Sequence, residues 1–333
     1  MASFAHPQPV TLDFDRPMLL VVVDTEEEFD WSKPFDRAAT ATAAIPAQDH
    51  AHAVYDRYGI APTYVIDYPV ATNTAAVAYL RNLVESGRAQ IGTHCHPWVN
   101  PPYDEPLTAA NSYHGNLPPE LEAAKIAVLT DAIAQGFGFA PWIFKAGRYG
   151  IGPATLDIIA SLGYRLDCSL VPHSGFTGDG GPDFHGLSDK PFYVDSERKL
   201  LEVPLTMGFS GAAARLGPSL SRLFDSRLAM RARLPGILSR LGLVERARLS
   251  PEGFSAAEQM RLLRAMIGQG RRLFSLTYHS PSLAPGHTPY VRSEAERDQF
   301  VATIEAVLRA FRDELGGGFT TLAAVDAAAR SAA

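Results

Sequence analysis

The pentapeptide His94-Cys95-His96-Pro97-Trp98 directly follows the run Ala89-Gln90-Ile91-Gly92, which sets two imidazoles at the exit of an expected strand. Residues i and i+2 of an extended backbone project to the same side. Two neutral imidazoles converging from one strand are ligands for a borderline divalent ion such as zinc, which also accepts carboxylate oxygen. The carboxylates stand in Val21-Val22-Val23-Asp24-Thr25-Glu26-Glu27-Glu28-Phe29-Asp30, a buried-looking strand running into five acids. Asp24, Glu26, Glu28 and Asp30 share one side of an extended chain, a density of like charge that a cation or hydrogen-bond donors must compensate. Alone, either segment reads as a solvated loop. Together, each at the C-terminal end of an apolar strand, they occupy the edge where parallel α/β folds place their chemistry. Cys95 alternates to the opposite side and reads as a packed thiol.

Two further segments reach the same edge. Phe144-Lys145-Ala146-Gly147-Arg148-Tyr149-Gly150 ends another strand, and there Arg148 is placed to steer a carboxylate held near a metal. Phe274-Ser275-Leu276-Thr277-Tyr278-His279 delivers a histidine, and the loop after it holds His287, Tyr290 and Arg292. An imidazolium near neutral pH can protonate a leaving nitrogen or oxygen. The set writes a hydrolysis of an amide or ester. A carboxylate takes a proton from a metal-bound water, the hydroxide adds to a carbonyl polarised by the same ion, and His279 protonates the departing group. Trp98, Tyr149, His287, Tyr290 and Arg292 are the expected substrate-binding residues.

Strand-like and helix-like runs alternate over most of the chain. Residues 18–24, 63–67, 89–94, 142–146, 165–170, 200–206, 273–278 and 319–322 read as strands, and 46–58, 74–86, 118–135, 153–162, 256–268 and 293–315 as helices. This predicts an α/β protein, a distorted (β/α) barrel of seven or eight repeats forming a single domain over 1–333. Two segments interrupt it. Residues 172–199 form a Gly/Asp/Pro-rich loop leading into a hairpin that turns at Ser196-Glu197-Arg198-Lys199. Residues 211–250 interleave arginines with leucines and predict a basic helical insertion, serving as a lid, a contact between copies, or a surface for an anionic membrane or substrate.

With 333 residues, 46% of them hydrophobic, the chain can bury a full core, and a net charge of -6 argues against a nucleic-acid partner. Two cysteines exclude a disulfide framework and fit a reducing compartment. No signal-peptide pattern is read in residues 1–17 and no transmembrane run further on, so the expected location is the cytoplasm.

These motifs, in this order, resemble those of the NodB-homology polysaccharide deacetylases, carbohydrate esterase family 4. The phrases Asp24-Thr25-Glu26-Glu27-Glu28-Phe29-Asp30-Trp31, His96-Pro97-Trp98-Val99-Asn100-Pro101-Pro102 and His279-Ser280-Pro281-Ser282-Leu283 are similar to a divergent branch labelled WalW-like, and the resemblance spans roughly Met18 to Leu315. It implies a barrel of the NodB type with one divalent metal, zinc being the expected ion, held by one acid and two histidines. Asp24 matches the general base, Glu26 the acidic ligand, His94 the first histidine ligand, Arg148 the residue that orients the base and His279 the general acid. The family's adjacent Asp-Asp is here Asp24-X-Glu26, which leaves the exchanged assignment, Glu26 as base and Asp24 as ligand, as the alternative. Its second histidine lies where Trp98 stands, and His96 is expected to take over. The implied function is metal-dependent removal of an acyl group, acetyl above all, from an N-acetylated sugar or conjugate. Hydrolysis of a non-sugar C–N amide bond, or a carbohydrate-binding protein without catalysis, are the alternatives. A sugar site is expected to expose aromatic platforms such as Trp98, Tyr103 or Trp31.

Overall fold

The computed structural model describes Phe4 and residues 7–331, so the extreme ends of the expected 1–333 domain and of its N-terminal segment lie outside the described residues. The strands are β1 (Gln8–Pro9), β2 (Met18–Thr25), β3 (Thr63–Ile66), β4 (Gln90–Cys95), β5 (Ile143–Ala146), β6 (Leu166–Asp167), β7 (Phe192–Tyr193), β8 (Leu201–Glu202), β9 (Met207–Ser210), β10 (Glu245–Arg248), β11 (Leu273–His279) and β12 (Gly318–Phe319). Ten of them form one sheet in the order β1-β7-β8-β6-β5-β4-β3-β2-β11, with β12 on β2. The run from β8 to β11 is parallel throughout.

No strand ladder joins β8 to β11. The gap is bridged instead by single hydrogen bonds: Thr206 N–H donates to Ser275 Oγ (2.9 Å), Ser275 N–H to Thr206 Oγ1 (2.8 Å), and Thr277 N–H to the Leu249 carbonyl (3.0 Å). That is the distortion of the barrel.

Strand parity decides what faces inward. Leu19, Val21 and Val23 of β2 pack outward with the surrounding helices, while Leu20 and Val22 fill the interior with Val65, Ile143, Leu166 and Leu201. Each such side chain, fully buried, contributes about 1.5–3 kcal/mol. The same alternation carries Asp24 onto the interior side at the C-terminal mouth. It does likewise for His94 on β4 (Ile91 and Cys95 outward), Lys145 on β5 (Phe144 and Ala146 outward) and His279 on β11 (Phe274, Leu276 and Tyr278 outward). The helix Leu322–Ser331 stops the opposite end with Leu322, Val325 and Ala329.

The two interruptions take more varied forms than expected. Residues 172–199 hold a single 3-10 turn and β7, which pairs antiparallel with β8. The stretch 211–250 is not helical throughout. Short helices at Gly217–Asp225, Arg227–Arg231 and Leu234–Arg240 lie between β9 and β10, an antiparallel pair outside the main sheet. Among the described residues no helix is long and apolar enough to cross a membrane. Cys95 and Cys168 are both buried and free.

His52, on the helix Asp49–Tyr58, is buried with Nε2 2.9 Å from the Tyr64 hydroxyl, and its burial lowers its pKa to about 4. An unfolded histidine titrates near 6.5, so below about pH 6.5 the unfolded chain takes up a proton that the folded chain refuses until about pH 4. Stability is therefore expected to fall as pH drops through that window, His52 accounting for up to about 3 kcal/mol. Thermal melts of His52→Gln across the same range should show a shallower acid decline; an unchanged slope would contradict the assignment.

Candidate active site

At the barrel mouth the parallel register sets His279 beside Asp24 and His94 beside Lys145. The chain passes Asp24, leaves β2 at Thr25, and turns Glu26 inward, its backbone N–H donating to Ser280 Oγ at 3.2 Å. Glu26 Oε2 lies 3.7 Å from His94 Nε2 and 3.5 Å from His96 Nε2. Glu26, His94 and His96 are all buried, and one donor atom from each falls within 4.8 Å of the others.

The other ring nitrogens fix the protonation of both histidines. His94 Nδ1 is 3.1 Å from the Lys145 carbonyl, which only accepts, so Nδ1 carries the proton and Nε2 the lone pair. His96 Nδ1 donates to Glu27 Oε2 at 2.8 Å, with the same consequence. Burial holds His94 well below the ordinary imidazole pKa and lowers His96 to about 4, so both rings are neutral. Glu27 in turn accepts from Trp98 Nε1 (2.8 Å), and its own N–H donates to Asp67 (2.7 Å). A hydrogen-bonded shell of this kind orients metal-binding imidazoles.

Whether a cation fits here is answered by Glu26. Its Oε1 is buried without a hydrogen-bond partner, and burial followed by the crowding of Glu27, Asp24 and Asp67 pushes its carboxyl well up. A divalent cation among one carboxylate and two neutral imidazoles satisfies that orphan and reverses the penalty. A second acidic group, Glu27, Asp67 and His96, lies alongside, but there the carboxylates already accept from Trp98, His96, Val70 and the Glu27 backbone. Of the two groups, Glu26, His94 and His96 are thus the residues that would fit a divalent ion.

Asp24 is 3% exposed and ion-paired with Lys145 Nζ, which is wholly buried. Burial alone would raise the Asp24 carboxyl; the Lys145 ammonium beside it overcomes that and holds the group ionised, well below the usual carboxylate range. Its Oδ2 stands 3.7 Å from His279 Nε2. His279 Nδ1 donates to Glu252 Oε2 (2.8 Å) and its backbone N–H to Glu252 Oε1 (3.0 Å), which aims Nε2 into the cavity. Glu252→Gln keeps an acceptor for the His279 ring but removes the carboxylate charge beside it. Its kcat is expected to fall roughly 10–100-fold with little change in KM; a rise in KM alone would instead make Glu252 a substrate-binding group.

The expected partner of Asp24 was Arg148, and this is corrected. Arg148 and Tyr149 both take left-handed backbone (φ 53° and 60°), which swings the guanidinium away to Asp179 (2.5 Å) and over the Tyr113 ring at 4.1 Å. Gly147 precedes them because a Cβ there would collide with the Cys95 carbonyl and the His96 ring. Arg148 still lines the cavity, without touching Asp24.

That cavity, about 270 Å³, is walled by Asp24, Glu26, His94, His96 and His279 and by the aromatics Phe29, Trp31, Phe35, Trp98, Tyr113, Tyr149, Phe176 and Tyr290. A larger groove of about 630 Å³ over helices 74–85 and 119–137 offers only Arg81 and Asp131 as charged groups, so the chemistry belongs to the smaller space. Trp98 does not form an open platform: it is 1% exposed, stacked on His96 at 4.2 Å. Trp31 and Tyr290 are the exposed aromatics at the rim, and Tyr103 lies off the cavity. His287 and Arg292 stand outside this cavity, lining an outer depression that shares Trp31 with it, where His287 Nδ1 is 3.5 Å from Glu28. Lys145, Glu252, Glu27 and Arg248 had no role assigned from the sequence. A lone lysine inside the apolar strand Ile143–Ala146 was a readable signal for the first, because such a charge requires a buried partner. Glu252 sits in a loop without local pattern.

No protein-family model matches the chain, and no curated protein matches it. Solved structures do. A candidate polysaccharide deacetylase from Mycobacterium smegmatis aligns over 97% of this chain and 94% of its own with 16% identity and a TM-score of 0.53. PuuE allantoinase aligns over 94% and 90% with 11% identity and a TM-score of 0.55. Likeness at this identity is a likeness of fold, and with the strand order described above it shows the chain to be a distorted (β/α) barrel built like these two structures.

Proposed function

We propose that the protein is a metal-dependent deacetylase that removes an acetyl group from an N-acetylated sugar or sugar conjugate. The observation that carries this reading is the convergence of two lone pairs, His94 Nε2 and His96 Nε2, on the buried Glu26 carboxylate, whose Oε1 has no hydrogen-bond partner. A divalent ion bound by these three residues, zinc being our assignment, supplies a Lewis acid for the amide carbonyl and lowers the pKa of a water. Asp24, kept ionised by Lys145, takes the proton of the attacking water at Oδ2. His279 Nε2 delivers a proton to the departing nitrogen, while Glu252, accepting from Nδ1, holds the ring in place for that transfer. Trp31 and Tyr290 at the rim offer faces to a sugar ring.

Asp24→Asn is expected to lower turnover by roughly two to four orders of magnitude while the protein keeps its metal, because a base is not a ligand. Loss of metal from this variant would show that Asp24 and Glu26 have exchanged roles.

Hydrolysis of a non-sugar C–N amide stands as a second reading. The cavity of about 270 Å³ suits a small molecule, and an allantoinase is built on the same fold. Acetate release from a panel of N-acetyl sugars, with zinc, cobalt or manganese and again after chelation, separates the readings. The deacetylase reading expects release that chelation stops and metal restores. Release from no sugar, with hydrolysis of small amides or ureides, favours the second reading, and a metal-free protein that binds sugar intact would set both aside.

A further inference from the structure

We infer that Arg248 is the anchor for an anionic group on the substrate, so that the amide cleaved here carries a carboxylate or a phosphate. The inference rests on the cavity being the substrate site. Arg248 ends β10 and forms part of the cavity wall, where its Nη1 donates to the Tyr149 hydroxyl at 2.8 Å. The other cations at this mouth are already spent: Lys145 on Asp24 and Arg148 on Asp179. No carboxylate of the described residues lies within the 4.0 Å of an ion pair with Arg248, and its Nε is buried with no partner. A guanidinium with a buried donor left unmet beside an aromatic wall is costly unless a ligand meets it. Its planar fork matches carboxylate and phosphate oxygens, and charge-assisted bonds of that kind are about twice as strong as neutral ones. A neutral sugar would leave those donors idle.

The test is a binding measurement on the full metal-loaded chain, so that it does not depend on turnover. The matched probes are N-acetylglucosamine against N-acetylmuramic acid, and N-acetylglycinamide against N-acetylglycine, titrated calorimetrically into wild type, Arg248→Gln and Arg248→Lys. Wild type is expected to prefer the anionic member of a pair by about tenfold or more. In Arg248→Gln the ratio should collapse to about one, and in Arg248→Lys part of it should return, since lysine keeps the charge without the fork. Melting temperature confirms that each variant is folded. If no anionic probe binds wild type more tightly than Arg248→Gln, the inference is overturned. Absence of acetate release with this discrimination intact would overturn the deacetylase reading alone.

A different observation carries a second inference: the helical excursion docks on an anionic lipid surface. Leu228 is 80% exposed, and Met230, Ile237 and Leu241 are exposed beside it in sequence. Six arginines stand between positions 215 and 240, and of these only Arg222 makes an ion pair with a described residue. The one acid of that stretch, Asp225, is already held by Arg246. Exposed leucines interleaved with unpaired arginines complement a surface that is apolar beneath and negative above. Cosedimentation with phosphatidylcholine vesicles, with and without about 30 mol% phosphatidylglycerol, should show binding only to the anionic vesicles. Binding should be lost in Arg231→Glu/Arg233→Glu and in Leu228→Asp. Equal recovery with both vesicle types, or a dimer in sedimentation that Leu228→Asp dissolves, would overturn this second inference.

Discussion

Replacing His94 by alanine is expected to remove the divalent ion and about three orders of magnitude of turnover, the several kcal/mol that a metal contributes to transition-state charge. The reason lies in the pinning of the ring. His94 Nδ1 is committed to the Lys145 carbonyl, so Nε2 has no task within the protein other than to face Glu26 at 3.7 Å. Removing it leaves one imidazole and one carboxylate, too few for a structural grip on zinc. Metal content by elemental analysis, together with kcat, checks this. A variant that retains one equivalent of metal and wild-type kinetics would refute the ligand assignment.

Lys145→Met is expected to destabilise the fold by about 3–5 kcal/mol, because it strands Asp24 as a buried charge without its partner. For a chain of this size that corresponds to a fall in Tm of roughly 4–7 °C. The double variant Asp24→Asn/Lys145→Met should recover much of the loss, since the two residues interact directly and their effects do not add. Calorimetric melts of the single and double variants make the comparison. A lone Lys145→Met that melts with the wild type would mean that the ion pair carries no stability, and with it no duty of keeping Asp24 ionised.

Much of the mouth was legible because period-two geometry is local. The spacing of His94 and His96, and of Asp24 and Glu26, puts each pair on one side of its strand, and no distant contact is needed to see it. What depended on backbone conformation was not legible. Arg148 was assigned to the base from its place after a strand, but two successive left-handed residues carry it to Asp179 and leave Asp24 to Lys145. Trp98 looked like a platform and is instead a buried support for His96, because its indole N–H is needed by Glu27. Glu252 reaches His279 across 27 residues of chain, a pairing that only the tertiary fold creates. Glu245-Arg246-Ala247-Arg248 continued an arginine-rich helical pattern and emerged as β10, since its antiparallel partner β9 supplies the hydrogen bonds that decide the matter. Fold class survived these local errors because the alternation of strands with helices is set by many independent segments.

On the proposed mechanism, Glu26, His94 and His96 hold one divalent ion. Crystals of the zinc-loaded protein, measured on both sides of the zinc absorption edge, test it directly. A single anomalous peak is expected at the barrel mouth, with both Nε2 atoms and a Glu26 oxygen about 2.0–2.2 Å away. A peak elsewhere, or a mouth that stays empty at saturating zinc with Glu26 still unpartnered, would contradict it.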